Sequence, residues 1–145
     1  MTRAIIFDLD GTLIDSIPDV MNALNAVLAD HGRRPVTRQE TVAMVGGGAE
    51  PLLERWFATT GEAAPPDDIP SLVEAFGEYY RADPATETTI FDGVIAALEA
   101  LADRGLKMGI CTNKPHPSAL QVLEALDLDR HFGACFGKAS VPFHK

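Results

Sequence analysis

Cysteine is scarce in this chain: there are only two, Cys111 and Cys135, each inside an apolar run ("MGICT", "FGACFG"). Neither forms a C-x-x-C pair or stands at a metal-ligand spacing from a histidine, which argues against a disulfide scaffold or a zinc module. Both thiols read as buried strand residues. His31, His116, His131 and His144 also lack such spacing and read as surface or helix-end residues. Basic charge is short as well: 12 Lys and Arg face 21 Asp and Glu, a net charge of −9. Nucleic-acid and anionic-membrane partners need clustered Lys and Arg, so neither is expected. A small anionic substrate stays compatible, because a bound cation reverses the local field. No apolar run approaches the roughly 18 residues of a membrane span. The N-terminus has no leader-like hydrophobic segment, and the expectation is a cytoplasmic protein without a membrane partner.

The first informative stretch is "AIIFDLDGTLIDS", residues 4–16. Residues 3–8 are apolar and β-favouring, as in a fully buried strand. Ser16 is placed to cap a helix, with Pro18 in its first turn and apolar Val20, Leu24, Val27 and Leu28 at helical spacing up to Gly32. Thr37 and Glu40 form a capping-box pattern for a second, short helix that ends at Gly46–Gly48. Leu52, Leu53, Trp56 and Phe57 mark a third helix, with Trp56 in its core, and Leu72, Val73, Phe76 and Tyr80 mark a fourth. After residue 85 the pattern changes to helix 93–104, strand 106–112, a helix opened by Pro115 or Pro117, and a strand near 132–136. Strands alternating with helices predict an α/β fold with a parallel, doubly wound, Rossmann-like sheet. Four helices are too many for one crossover. They predict a helical cap over residues 15–85, inserted after the first strand into a core made of 1–14 and 86–145. Such a cap would lie over the carboxyl end of the sheet, where open α/β sheets bind ligands.

Asp8 and Asp10 leave the tip of that first strand one residue apart. Asp10–Gly11 is also a common turn dipeptide, and Asp8 could cap a helix. A calcium hand does not fit, because its glycine would fall at position 13, which is Leu. Two close carboxylates are useful around a hard cation. They are equally useful when one is a nucleophile and the other carries protons. Attack by a carboxylate on phosphorus gives an acyl phosphate and splits one hard hydrolysis into two easier steps.

"DLDGTLIDS" resembles the first motif of the haloacid dehalogenase superfamily, and "GICTNKP" its second, with Thr112 at the Ser/Thr position. The segment "VMNALNAVLADHG…MVGGGAEPLLERW" is similar to the caps of the phosphoglycolate phosphatase type, so the resemblance covers essentially the whole chain. It implies that Asp8 is the nucleophile and a Mg²⁺ ligand. It implies that Asp10 is the general acid/base and lends the metal its backbone carbonyl. Thr112 and the amide of Asn113 would bind phosphate, although Thr112 also reads as a helix cap. Lys145, in "VPFHK", looks like the third-motif lysine, and Lys138 is a weaker candidate. Lys114 reads as a solvated side chain. Gly46, Gly47 and Gly48 would belong to a cap loop facing the site, or form a plain flexible turn. Arg55 would meet a substrate carboxylate, or be a solvated helix arginine.

The fourth motif of that superfamily, acidic residues completing the Mg²⁺ shell, is missing: no acidic residue follows Asp129. The expectation is therefore part of a longer phosphatase whose first strand has an exposed edge that invites self-association. Three functional readings stand at this point. One is a Mg²⁺-dependent phosphomonoesterase acting on a small phosphorylated substrate, 2-phosphoglycolate foremost. The second is a sugar phosphomutase of the same superfamily, and the third a non-catalytic phosphate-binding fragment. A receiver-type signalling domain is disfavoured, since its acceptor ends the third strand rather than the first.

Overall fold

A computed structural model describes residues 3–140. Its contacts divide the chain into two units: one runs to Ser16 and resumes at Thr88, the other is Ile17–Glu87. The first unit holds a three-stranded parallel sheet in the order β1 (Ala4–Phe7), β4 (Lys107–Pro115), β5 (Ala134–Lys138). Ala4 lies opposite Lys107 and Phe7 opposite Ile110, while Ile110 lies opposite Cys135 on the other side. Helices α5 (Val94–Asp103) and α6 (His116–Ala125) supply the crossovers that parallel neighbours require. β1 lies at one edge of the sheet, and Ile6 on it is 60% exposed. The core of the unit gathers around Leu9, Leu98, Ile110, Val122, Leu123 and Leu128, each 0–1% exposed.

Two short strands, β2 (Ile14–Asp15) and β3 (Thr89–Ile90), pair antiparallel where the chain leaves this unit and returns to it. Runs of two residues carry too little periodicity to be seen in the sequence. The other boundaries shift modestly. β4 runs on through Pro115, three residues beyond its expected end, and β5 starts two residues later than expected. Cys111 and Cys135 are half-buried rather than buried; Cys135 lies on β5, an edge strand of the sheet. Burial first, and the neighbouring Cys111 second, push the Cys135 thiol up from its ordinary value.

The helical unit contains α1 (Ile17–Asp30), α2 (Arg38–Met44), α3 (Ala49–Thr60) and α4 (Ile69–Ala82), with a short 3₁₀ turn before α4. α1 packs on α4 and α2, and α4 on α3. Trp56, Leu24 and Val27 are fully buried among them, and each aliphatic chain so buried contributes about 1.5–3 kcal/mol. Asp19, 2% exposed in the first turn of α1, accepts the Glu87 backbone N–H on both oxygens at 3.1 Å and so ties the two ends of the unit together. Asn25 brackets Val36, accepting its N–H and donating to its carbonyl. No helix among the described residues is long and apolar enough to cross a membrane.

The capping box is present: Thr37 Oγ1 accepts the Glu40 N–H, and the Glu40 carboxylate accepts the Thr37 N–H at 2.8 Å. Arg34 adds an ion pair at 2.8 Å. The Arg34 hydrogen bond, with the Thr37 amide next, pulls the Glu40 carboxyl from its ordinary value down to about 2. Because folding depresses this pKa, Glu40 supports the fold fully above its unfolded value, and the support fades as pH falls toward about 2. A ¹³C-detected titration should find Glu40 still ionised at pH 3, and Arg34→Ala should move its midpoint upward.

Candidate active site

The site begins with a constraint on one residue. Leu9, two residues beyond the end of β1, is fully buried. Along an extended chain neighbouring side chains point to opposite faces, so burying Leu9 turns Asp8 and Asp10 away from the core; both are half-buried. The turn that follows is organised by the Leu9 carbonyl, which accepts the N–H groups of Thr12, Leu13 and Ile14 at 3.0–3.3 Å. Gly11, at φ +75°, makes the reversal and donates its own N–H to Ile14. That conformation strains any residue with a Cβ. The Leu9 N–H donates to Asp8 Oδ1 at 2.8 Å. None of these turn amides reaches the Asp10 carbonyl.

The second part of the site comes from β4, the strand beside β1. Its pairing with β5 is regular to Cys111 opposite Phe136 and resumes only at Pro115 opposite Lys138. Four residues of β4 thus advance against two of β5, and Thr112–Lys114 bulges out of the ladder. Bulges of this kind re-aim side chains near functional sites. Thr112 is 5% exposed, and its Oγ1 accepts the Lys114 N–H at 3.1 Å. Having accepted there, the hydroxyl keeps its own hydrogen to donate. Asn113 is half-buried in the same bulge. The bulge rests on Gly137, where an added Cβ would come within 2.5 Å of the His116 Cα and 2.8 Å of the Lys114 carbonyl oxygen.

One expectation is corrected here. Lys114 is not solvated: its side chain is 7% exposed, and Nζ lies 3.0 and 3.2 Å from the two carboxylate oxygens of Asp10. It was misread because β4 was expected to stop at 112, which placed Lys114 in an open loop. Ser16, the residue before α1, is drawn into the site as well. It is 3% exposed and donates to Asp10 Oδ1 at 2.6 Å. No local sequence signal pairs positions 10 and 114; only the parallel alignment of β1 with β4 does.

Asp8 and Asp10 therefore lie just beyond the carboxyl end of β1, and Thr112 and Asn113 lie within the last four residues of neighbouring β4, all in one unit. Gly46, Gly47, Gly48 and Arg55 belong to the helical unit. There the Arg55 guanidinium donates to the Met44 and Gly46 carbonyls and braces the glycine loop. Lys145 lies outside the described residues. Lys138 ends β5, half-buried, opposite Pro115. His31 is exposed and lies 2.8 Å from the Val27 carbonyl, as befits a helix end. His116 opens α6, with a buried Nδ1 that has no hydrogen-bond partner among the described residues.

Residues 5–145 match the haloacid dehalogenase-like hydrolase family, and with this sheet and these paired carboxylates the chain belongs to that family. It is 39% identical to a phosphoglycolate phosphatase of Cereibacter sphaeroides over 141 residues, 97% of this chain and 65% of that protein. A phosphoglycolate phosphatase of Caulobacter vibrioides is 40% identical over 97% of this chain and 60% of its own length. Among solved structures, a predicted phosphoglycolate phosphatase from Haemophilus somnus 129pt superposes with a TM-score of 0.88 at 28% identity, covering 99% of this chain and 66% of that one. The chain thus spans just under two thirds of the length of these curated relatives.

Gly137→Ala tests the support of the bulge. The new carbon meets backbone, which cannot step aside, so overpacking should cost about 1–3 kcal/mol in urea unfolding. Gly77→Ala is the control: there the carbon meets only the flexible Arg81 guanidinium. In mid-helix it should gain up to about 1 kcal/mol.

Proposed function

We propose that the protein is a phosphomonoester hydrolase acting through an aspartyl-phosphate on Asp8, with 2-phosphoglycolate as its substrate. The observation that carries this reading is the arrangement of Asp8 and Asp10 around buried Leu9, beside the bulge that presents Thr112. The phosphatase names borne by relatives at 39–40% identity support the reaction class and the substrate.

In the first step an Asp8 carboxylate oxygen attacks phosphorus in line. The bond from phosphorus to the substrate's ester oxygen breaks, and Asp10 gives that oxygen its proton. In the second step water attacks the phosphorus of phospho-Asp8 and passes a proton to Asp10. The bond to Asp8 breaks, and inorganic phosphate leaves. The Thr112 hydroxyl, free to donate, and the Asn113 amide hold phosphoryl oxygens, with Lys145 assigned to the same task. Donors fixed in advance need no reorganisation as charge shifts.

The donor chemistry suits Mg²⁺. The Asp8 carboxylate and the Asp10 backbone carbonyl, which the turn amides leave aside, are hard oxygen ligands of the kind that cation takes alongside water and substrate oxygens. No cluster of three acidic, His or Cys ligands stands among the described residues. When bound, the ion would neutralise charge on the transferring phosphoryl group.

Phosphate release from 2-phosphoglycolate should require Mg²⁺ and stop with a chelator. Asp8→Asn, which keeps the shape and removes the nucleophile, should lower kcat by about 10⁴-fold or more with an unchanged circular dichroism spectrum. Turnover near wild type in that variant would refute the assignment.

A further inference from the structure

We propose that Lys114 is a positioning residue for this reaction: its ammonium group, held inside the strand bulge, fixes the orientation of the Asp10 carboxylate. The proposal rests on the reading of Asp10 as the proton carrier. Three observations lead to it. Lys114 is nearly enclosed, at 7% side-chain exposure, while Asp10 keeps 25%. The ammonium reaches both carboxylate oxygens, at 3.0 and 3.2 Å, and Oδ1 also accepts the Ser16 hydroxyl at 2.6 Å. The backbone under Lys114 is pinned as well, since its N–H donates to Thr112 Oγ1 at 3.1 Å.

Asp10 stands in a turn, and its side chain would otherwise rotate about two torsions. Two donors on Oδ1 and one on Oδ2 leave a single carboxylate orientation, with Oδ2 the less occupied oxygen and the one placed to exchange protons. A buried or half-buried ion pair is a poor device for stability, because desolvation offsets most of the attraction. Its use here is directional. The same bulge carries Thr112 and Lys114, so a single irregularity in β4 sets both a phosphate donor and the aim of the acid/base group. Positioning of this sort is worth orders of magnitude in rate, since small displacements of a reacting group are costly.

The test is a double-mutant cycle on the protein assayed with 2-phosphoglycolate and Mg²⁺. Lys114→Met should lower kcat by about 30-fold or more while KM changes less than about threefold. Lys114→Arg, which keeps a cation in reach, should recover part of the loss. In an Asp10→Asn background, Lys114→Met should cause no further loss, because the group it aims is already gone. An equal further loss in that background would mean that Lys114 contacts the phosphoryl group itself and would overturn the proposal. Unchanged kcat in Lys114→Met would overturn it too. Lys114→Gln serves in place of Lys114→Met if the latter fails to fold. A crystal structure of the same variant gives a readout independent of turnover. Loss of the Ser16–Asp10 contact there supports the proposal, and an Asp10 carboxylate unmoved overturns it. If the wild-type protein releases no phosphate, the reading of Asp8 fails, and the crystallographic arm alone decides the role of Lys114.

Discussion

Everything at the carboxyl end of this sheet depends on keeping Leu9 buried. Its side chain fills the core and its carbonyl gathers three amides of the following turn. That leaves the residues on either side with no inward-facing option. Asp8 and Asp10 are thereby held beside each other despite their mutual repulsion, which the Lys114 ammonium and the Ser16 hydroxyl offset. Were Leu9 polar, neither the turn nor the carboxylate pair would have a fixed direction. The apolar core thus sets the geometry of the most polar part of the molecule.

The parallel pairing of β1 with β4 then converts two segments about a hundred residues apart in sequence into one surface. β1 brings the carboxylates, and β4 brings a hydroxyl and a cation on a bulge that β5 can accommodate only because position 137 is Gly. The intervening helical unit does not disturb this pairing. Its two ends are joined by the Asp19 carboxylate on the Glu87 amide, and the flanking chain is joined by the β2–β3 pair. A long insertion costs little in such an arrangement, since closure entropy grows only slowly with loop length.

The legible parts of the molecule were those with local periodicity or a local cap. The apolar stripe of α1, the capping box at Thr37 and the apolar run of β1 each carry their signal within a few residues. The strand-then-carboxylate step at Phe7–Asp8 did so too, and it pointed to the family. What escaped was non-local. The Asp10–Lys114 and Asp19–Glu87 contacts span 104 and 68 residues and have no periodic trace. The two-residue strands are too short for any pattern. The Ser16–Asp10 contact escaped too: a serine before a helix reads as a cap, and only the folded turn places Asp10 within reach of its hydroxyl.

The central claim is that the reaction passes through an acyl phosphate on Asp8. Borohydride reduces an acyl phosphate to the alcohol, so an enzyme quenched during turnover of 2-phosphoglycolate and reduced at once should carry homoserine at position 8, detectable by peptide mass spectrometry. Aspartate should remain at position 10, and no homoserine should appear without substrate. Homoserine elsewhere, or none at position 8 in an actively turning-over enzyme, would contradict the account.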